Sequence, residues 1–415
     1  MAVVDRLVPR PYSVSVSLEL FLAVALPLGA VLVSNVRWVP TAIFLLAAIP
    51  ALIALALHRF LPAPRSIVLG GAFVFLAGTV LSTAVNTPMD VATLADMVLR
   101  ALLILCFIYV AALVPLLEPR DGSLIVLAVI LACAASVAVN AAYYIAGDPA
   151  LVVPGEARFK PIFGTPGRQW PTEVSATYAV LFAGAVAMLV SSRNRTLVRV
   201  LAGAAAVVIA TGLILTQARS GYIGGMAGAA CVLLFVNRRM RRWIFGVAAT
   251  AVVIVLLSPL RDLLLARGLS HRTGIWVDYA GWWLESPVLG YGMHANVHRM
   301  VEGMTFFHAH NLILSSAVRS GILGLASMIA MLAGGIYFAW RYAVHFRCPM
   351  FLSMIVALFV AALFDYDVYL VWADWSWLTI WFPIALGAGT ELAMRRRQGE
   401  VDVAASTARA AGAEA

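Results

Sequence analysis

The stretch Phe306–Gly324, FFHAHNLILSSAVRSGILG, sets two histidines and an asparagine directly before a run that otherwise reads as membrane helix. If a helix runs from about residue 310, positions 310, 317, 321 and 324 fall within roughly 40° of one face at 100° per residue. Those positions hold His310, Ala317, Gly321 and Gly324. His310 is therefore expected on a small-residue face that packs against other helices. A histidine so placed is by default a hydrogen-bonded core residue, and any further role has to be argued from the rest of the chain.

Composition decides the solvent. With 63% hydrophobic and 12% charged residues over 415 positions, the chain is too apolar for a soluble enzyme and reads as a polytopic membrane protein. A hydrocarbon core about 30 Å thick takes roughly 20 apolar residues per helical span. Segments of that kind lie at 14–35, 39–57, 66–84, 94–116, 123–146, 173–191, 197–215, 220–236, 242–258, 321–341, 349–364 and 375–393. Backbone polar groups in lipid must be satisfied within each segment, so the expectation is all-α, about twelve transmembrane helices, with no strands.

Basic residues in the short connections alternate consistently, from Arg6 and Arg10 through Arg238–Arg242 to Arg395–Arg397. The inside-positive rule then places both termini in the cytoplasm. The net charge of +9 is mostly this topology signal, and nucleic-acid binding explains it poorly. The first apolar stretch is long enough to stay as an anchor and lacks a clear cleavage site. Residues 1–394 are expected to form the membrane domain, and 395–415 a cytoplasmic disordered tail. Cys106, Cys133, Cys231 and Cys348 have no metal-ligand spacing, so neither zinc nor disulfides are expected.

Two external segments are long, 147–172 between spans five and six and 259–320 between spans nine and ten. The second carries five of the seven histidines: His271, His294, His298, His308 and His310. Arg158, Lys160, Arg168, Arg219, Arg261, Arg267, Arg272 and Arg299 also fall on the outer side, against the charge bias. Any one of them suits a lipid headgroup. Together they favour an anionic ligand, and guanidinium groups hold a diphosphate without metal. A diphosphate already in the membrane is carried by a polyprenyl lipid.

Three further stretches bear on the chemistry. In TQARSGYIGGMAG, Thr216–Gly228, Arg219 precedes Gly221, Gly224, Gly225 and Gly228, small residues that let helices approach closely and present an arginine rigidly. In HRTGIWVDYAGWWLESPVLGYGMHANVH, His271–His298, Arg272 stands one helical turn before Trp276, and the tryptophans suit an interfacial helix followed by a turn-rich SPVLGYG. In FDYDVYLVWADW, Phe364–Trp375, Asp365 and Asp367 superficially match an Asp-x-Asp metal motif. Pairing with external arginines, or facing water, is the simpler reading of those two.

The pattern His310-Asn311, nine residues, then Gly321-x-x-Gly324 resembles the signature of bacterial O-antigen ligases, within the O-antigen ligase and polymerase superfamily. RTGIW…SPVLGYG and TQARSGYIGG resemble that superfamily's other recurrent blocks, in the same order. The resemblance covers roughly residues 150–330 by motif. It implies a GT-C-type membrane glycosyltransferase of the inner membrane with a periplasmic active site and no metal or other cofactor. Its partners would be undecaprenyl diphosphate-linked O-antigen, a lipid A-core acceptor and membrane lipids. By the same resemblance His310 is the general base. Arg219 and Arg272, with Arg168 and Arg158, would bind the donor diphosphate, and Asn311 and His308 would position substrate. The residue types suit such chemistry, since a sugar hydroxyl must lose a proton as it attacks. A polymerase using a lipid-linked glycan acceptor shares these motifs. A twelve-span transporter or flippase is the reading from another class, and it lacks the internal repeat and midplane charges that such folds often show.

Overall fold

The computed structural model describes residues 66–117, 119–147, 171–191, 193–239, 272–301, 303–367, 370–372 and 376–413, with a few positions between 241 and 257. Predicted spans one and two, most of span nine and most of the external segment 147–172 lie outside these residues. What is described is a helical, multi-pass membrane protein.

The helices are α1 (Ile67–Asn86), α2 (Val91–Ala111), α3 (Pro119–Gly147), α4 (Pro171–Val190), α5 (Thr196–Thr216), α6 (Arg219–Val232), α7 (Arg272–Glu285), α8 (Leu312–Phe346), α9 (Met350–Phe364) and α10 (Phe382–Ala413). Among them α1 to α5 and α8 are long and apolar enough to cross a membrane. Local sequence sets several starts. Ser66 Oγ accepts from Leu69 N–H at 3.1 Å to cap α1, and Asp90 accepts from Thr93 N–H at 2.7 Å to cap α2.

Helix α6, with 14 residues, and α9, with 15, are shorter than the spans expected there. Both are held by packing instead. A Cβ at Gly224 would stand 2.8 Å from Ala357 O, and one at Gly228 would stand 2.5 Å from Ser353 O. The small-residue face of α6 thus lets the α9 backbone approach directly, as the glycine spacing predicts.

The two ends of the bundle differ. At one end Glu391 is fully buried and receives Ser66 Oγ–H (2.7 Å), Ile67 N–H (2.9 Å) and Val68 N–H (3.1 Å), which ties α10 to the positive end of α1. Arg395 donates to the same carboxylate at 2.9 Å. The C-terminal end of α8 is here too, with Arg397 5.8 Å over the Phe346 ring. The other end of α1 and the start of α8 meet the loop that follows α7.

That meeting depends on a break in α8. Gly321 has φ 61 and ψ −154, outside helical values. The carbonyls freed by the break are taken up by the SPVLGYG loop: Tyr291 N–H donates to Val318 O and Gly292 N–H to Arg319 O, both at 2.8 Å. In return Ile322 N–H donates to Pro287 O at 2.8 Å, and Ser82 of α1 donates to Leu289 O and Arg319 O. Irregular backbone of this kind persists at membrane depth only where protein satisfies it. The 310/317/321/324 face read from helical spacing therefore does not exist as one face, because the helix starts after His310 and breaks at Gly321.

Two other expectations are corrected. A short hairpin, β1 (Arg299–Val301) and β2 (Met304–Phe306), pairs antiparallel with Arg299 opposite Phe306 and Val301 opposite Met304. It lies in the long segment between α7 and α8, where its edge groups can be solvated, and turns at Gly303 with φ 79. The segment expected as a disordered tail from 395 continues as helix to Ala413, its alanine-rich composition favouring that state.

Gly321→Ala should be among the most damaging small substitutions in the described fold. Its φ and ψ are essentially confined to glycine, which alone costs about 1–3 kcal/mol, and a Cβ would sit 2.1 Å from Val288 O. Gly303→Ala is the control, because its φ is also positive but nothing lies within 4 Å of a Cβ there. Thermal melting in detergent should fall clearly further for Gly321→Ala. Equal melting shifts would refute the stitched joint.

Candidate active site

The site forms where α8 begins and α9 ends. Asn311 caps α8, its Oδ1 accepting from Ile313 and Leu314 N–H at 3.0 Å each, while its Nδ2 donates to Leu363 O at 3.2 Å. The amide that was expected to position substrate is thus occupied in joining α8 to α9. One residue earlier, His310 has φ 48, in the left-handed region that few non-glycine residues adopt.

This backbone turn brings His310 Nδ1 to 3.2 Å from Asp365 Oδ1. Asp365 follows the last residue of α9 and its side chain is 2% exposed, against 29% for His310. Burial pushes the Asp365 carboxyl up, but the hydrogen bond and charge of His310, the charge of His308 and the Tyr366 backbone N–H bring it below the ordinary range. Tyr366 donates that N–H at 2.9 Å and has φ 95. Both partners of the histidine–carboxylate contact thus lie at or beside unusual backbone, a pattern that clusters at functional sites.

His308 packs against His310 with ring centres 3.9 Å apart and planes tilted by 49°, and its Nδ1 accepts the His310 backbone N–H at 3.2 Å. Burial and the neighbouring His310 lower its pKa, so His308 stays neutral further into the acid range than a free histidine.

Below this pair is a second one. Arg319, only 7% exposed, forks onto Asp367 through Nε (3.1 Å) and Nη2 (2.8 Å), and its Nη1 donates to Met293 O at 2.7 Å. Burial raises the Asp367 carboxyl, and the Arg319 charge and hydrogen bonds bring it below the usual range. The arginine thereby bolts the SPVLGYG loop, α8 and the chain after α9 together.

Of the sequence-predicted arginines, Arg272 and Arg219 join the site. Arg272 opens α7 and lies 5.7 Å over the Phe364 ring, with Trp276 one turn on packing against the same ring at 6.3 Å. Its pKa is drawn down by burial, raised by Asp365 and lowered again by Arg219, with a net downward shift. Arg219 opens α6. One electrostatic cluster therefore contains Arg219, Arg272, Asp365, His310 and His308.

Arg158 and Arg168 lie outside the described residues, as does His271. His294 and His298 are exposed, and His298 packs edge-on to Phe307. Arg299 is engaged by Asp278 at 3.3 Å and lies 4.4 Å over Trp282. The Asp-x-Asp pair is split between two partners, Asp365 with His310 and Asp367 with Arg319, and both carboxylates are buried, so neither faces water and only Asp367 pairs with an arginine. Donor atoms of His308, His310 and Asp365 do lie within 4.8 Å of one another, close enough to hold a metal ion. Sequence reasoning missed Arg319, although an arginine inside an apolar run was a signal to examine.

Residues 204–329 match a family model described as O-antigen ligase. An O-antigen ligase of Pseudomonas aeruginosa is 28% identical over 176 residues, which covers 42% of this chain. The match spans 43% of that relative's length, so the chain aligns with less than half of it. The matched region holds Arg219, Arg272, His310 and the broken helix. Over residues 204–329 the chain is therefore similar to the O-antigen ligase family.

Proposed function

We propose that the protein is a lipopolysaccharide-building glycosyltransferase that moves O-antigen from undecaprenyl diphosphate to a sugar hydroxyl of lipid A-core. In this reading the chain is a GT-C-type inner-membrane enzyme with about twelve spans, and its site faces the periplasm. The contact that supports it best is His310 Nδ1 on Asp365 beside Arg272. A carboxylate accepting from Nδ1–H holds the other ring nitrogen, Nε2, as a free base.

The step is a single displacement. The acceptor hydroxyl oxygen bonds to the anomeric carbon as the bond from that carbon to the diphosphate oxygen breaks, inverting the centre, and the hydroxyl proton passes to His310 Nε2. Charge grows on the departing diphosphate, and Arg219 and Arg272 stabilise it where it develops. Asp365 stabilises the imidazolium that forms.

Replacing Arg219 or Arg272 with alanine should weaken use of the lipid diphosphate donor by roughly tenfold to over a hundredfold, the value of a charge-assisted contact. Initial rates over a donor titration, with acceptor saturating, are the measurement. Unchanged donor kinetics in both variants would remove them from the diphosphate site. The reading as a whole is tested with reconstituted protein and two separate acceptors, lipid A-core and an undecaprenyl-linked glycan. Transfer to lipid A-core that persists in chelator is the expected result. Elongation of the lipid-linked glycan alone would make the protein a polymerase, and loss in chelator with recovery in zinc would assign the His308, His310 and Asp365 donors to a metal.

A further inference from the structure

We propose that the end of the bundle away from His310 carries a binding site for the phosphate headgroup of an anionic phospholipid, between the starts of α3, α5 and α9. This does not rest on the glycosyl-transfer reading. Helix α8 separates the two regions: His310 precedes its first residue, and Cys348 and Pro349 follow its last. At about 1.5 Å per residue the two segments of α8 together are roughly 50 Å long, an upper bound on the separation because of the break at Gly321.

The site is a cavity of about 500 Å³. Its polar side is made by Arg193 and Arg195, with Ser123, Ser191 and Asn194, and among the described residues that line it none is acidic. Both arginines are exposed and neither has an ion-pair partner among the described residues. The start of one helix, α5, borders the same space through Arg195 and Leu197. Helix α5, which begins after Arg195, has no side-chain cap, so its first amides are available to an anion, whereas at the start of α9 the Met350 N–H is taken by the Cys348 sulfur. Cys348 also lines the cavity, but burial pushes its thiol up to about 11. A thiol in that state is a packing group and not a nucleophile.

The apolar side shows which phosphate fits. Leu124 and Leu197 line the cavity and remain 43% and 67% exposed, on helices apolar enough to lie in lipid. The space therefore opens sideways onto acyl chains while its cations sit at the helix ends. A soluble phosphate would leave that apolar wall uncovered. A phosphodiester with two acyl chains covers both halves, which is the usual form of basic headgroup pockets between membrane helices.

The test uses the full-length protein purified in neutral detergent and titrated with dioleoyl phosphatidylglycerol, dioleoyl phosphatidylcholine or inorganic phosphate. Melting is followed by tryptophan fluorescence, and retained lipid is counted by native mass spectrometry. Phosphatidylglycerol should raise the melting temperature and remain bound, with phosphatidylcholine and inorganic phosphate giving little of either. In Arg193→Gln/Arg195→Gln the half-saturating concentration should rise at least about tenfold, since two charge-assisted contacts are lost. Arg238→Gln/Arg239→Gln removes equal charge from exposed positions outside the cavity and should respond as the unaltered protein does. Equal weakening in the two double variants would reduce the effect to overall charge and overturn the site. An undiminished response in Arg193→Gln/Arg195→Gln would do the same. Matching stabilisation by inorganic phosphate alone would overturn the lipid assignment.

Discussion

His310→Ala should lower turnover by about 10² to 10⁴ while leaving the protein inserted and folded, a loss of roughly 3–5 kcal/mol of transition-state stabilisation. Folding should survive because the ring is partly exposed and the cap of α8 belongs to Asn311. Asp365→Asn keeps the volume but cannot hold the imidazole tautomer or stabilise the imidazolium. It should therefore lower kcat with little change in donor KM. His308→Ala should cost less, since its Nδ1 accepts a backbone N–H and its ring only packs at a tilt against that of His310. Parallel transfer assays on the three purified variants decide the matter. Near-normal turnover by His310→Ala ends the general-base assignment, and a selective loss in His308→Ala moves that role two residues.

The second large effect is on stability. Arg319→Met leaves the Asp367 carboxylate buried without its partner, which typically costs 3–5 kcal/mol. It also frees the Met293 carbonyl. Arg319→Met/Asp367→Asn removes both charges and should recover much of the loss, because a buried pair is worth far less than the penalty of breaking it. Melting in detergent, with binding of a conformation-sensitive antibody as a second readout, measures both. A single variant as stable as the double one would show that the pair is not coupled.

Much of the membrane architecture was legible because span length and apolar content respond to one solvent property, the thickness of the hydrocarbon. The glycines of α6 were legible for a related reason, since a face without side chains serves close packing whatever the partner. The start of α8 was misread because a period of 100° assumes helical backbone at His310. The residue that decides otherwise is Asn311, whose side chain takes the first free amides and leaves His310 outside the helix. The break at Gly321 was hidden for the same reason: glycine within an apolar run reads as a packing position until the loop that fills the break is seen. Arg219, Arg272 and His310 stood out in the sequence because cations and a histidine are conspicuous in so apolar a chain. Asp365 was visible only as half of a sequence motif, because its true partner stands 55 residues away.

The loop-stitched break in α8 also has a mechanical consequence. A long membrane helix tilts as bilayer thickness changes, and an unbroken α8 would convey that tilt to its first turn as a displaced catalytic group. Here the segment Leu312–Ser320 is fastened to the loop after α7 and to α1, while the segment beyond Gly321 packs on α1 and α10 through Gly71 and Gly335. A joint of this kind is expected to act as a strain relief, letting the longer segment tilt with bilayer thickness while the spacing between imidazole, carboxylate and arginines is kept.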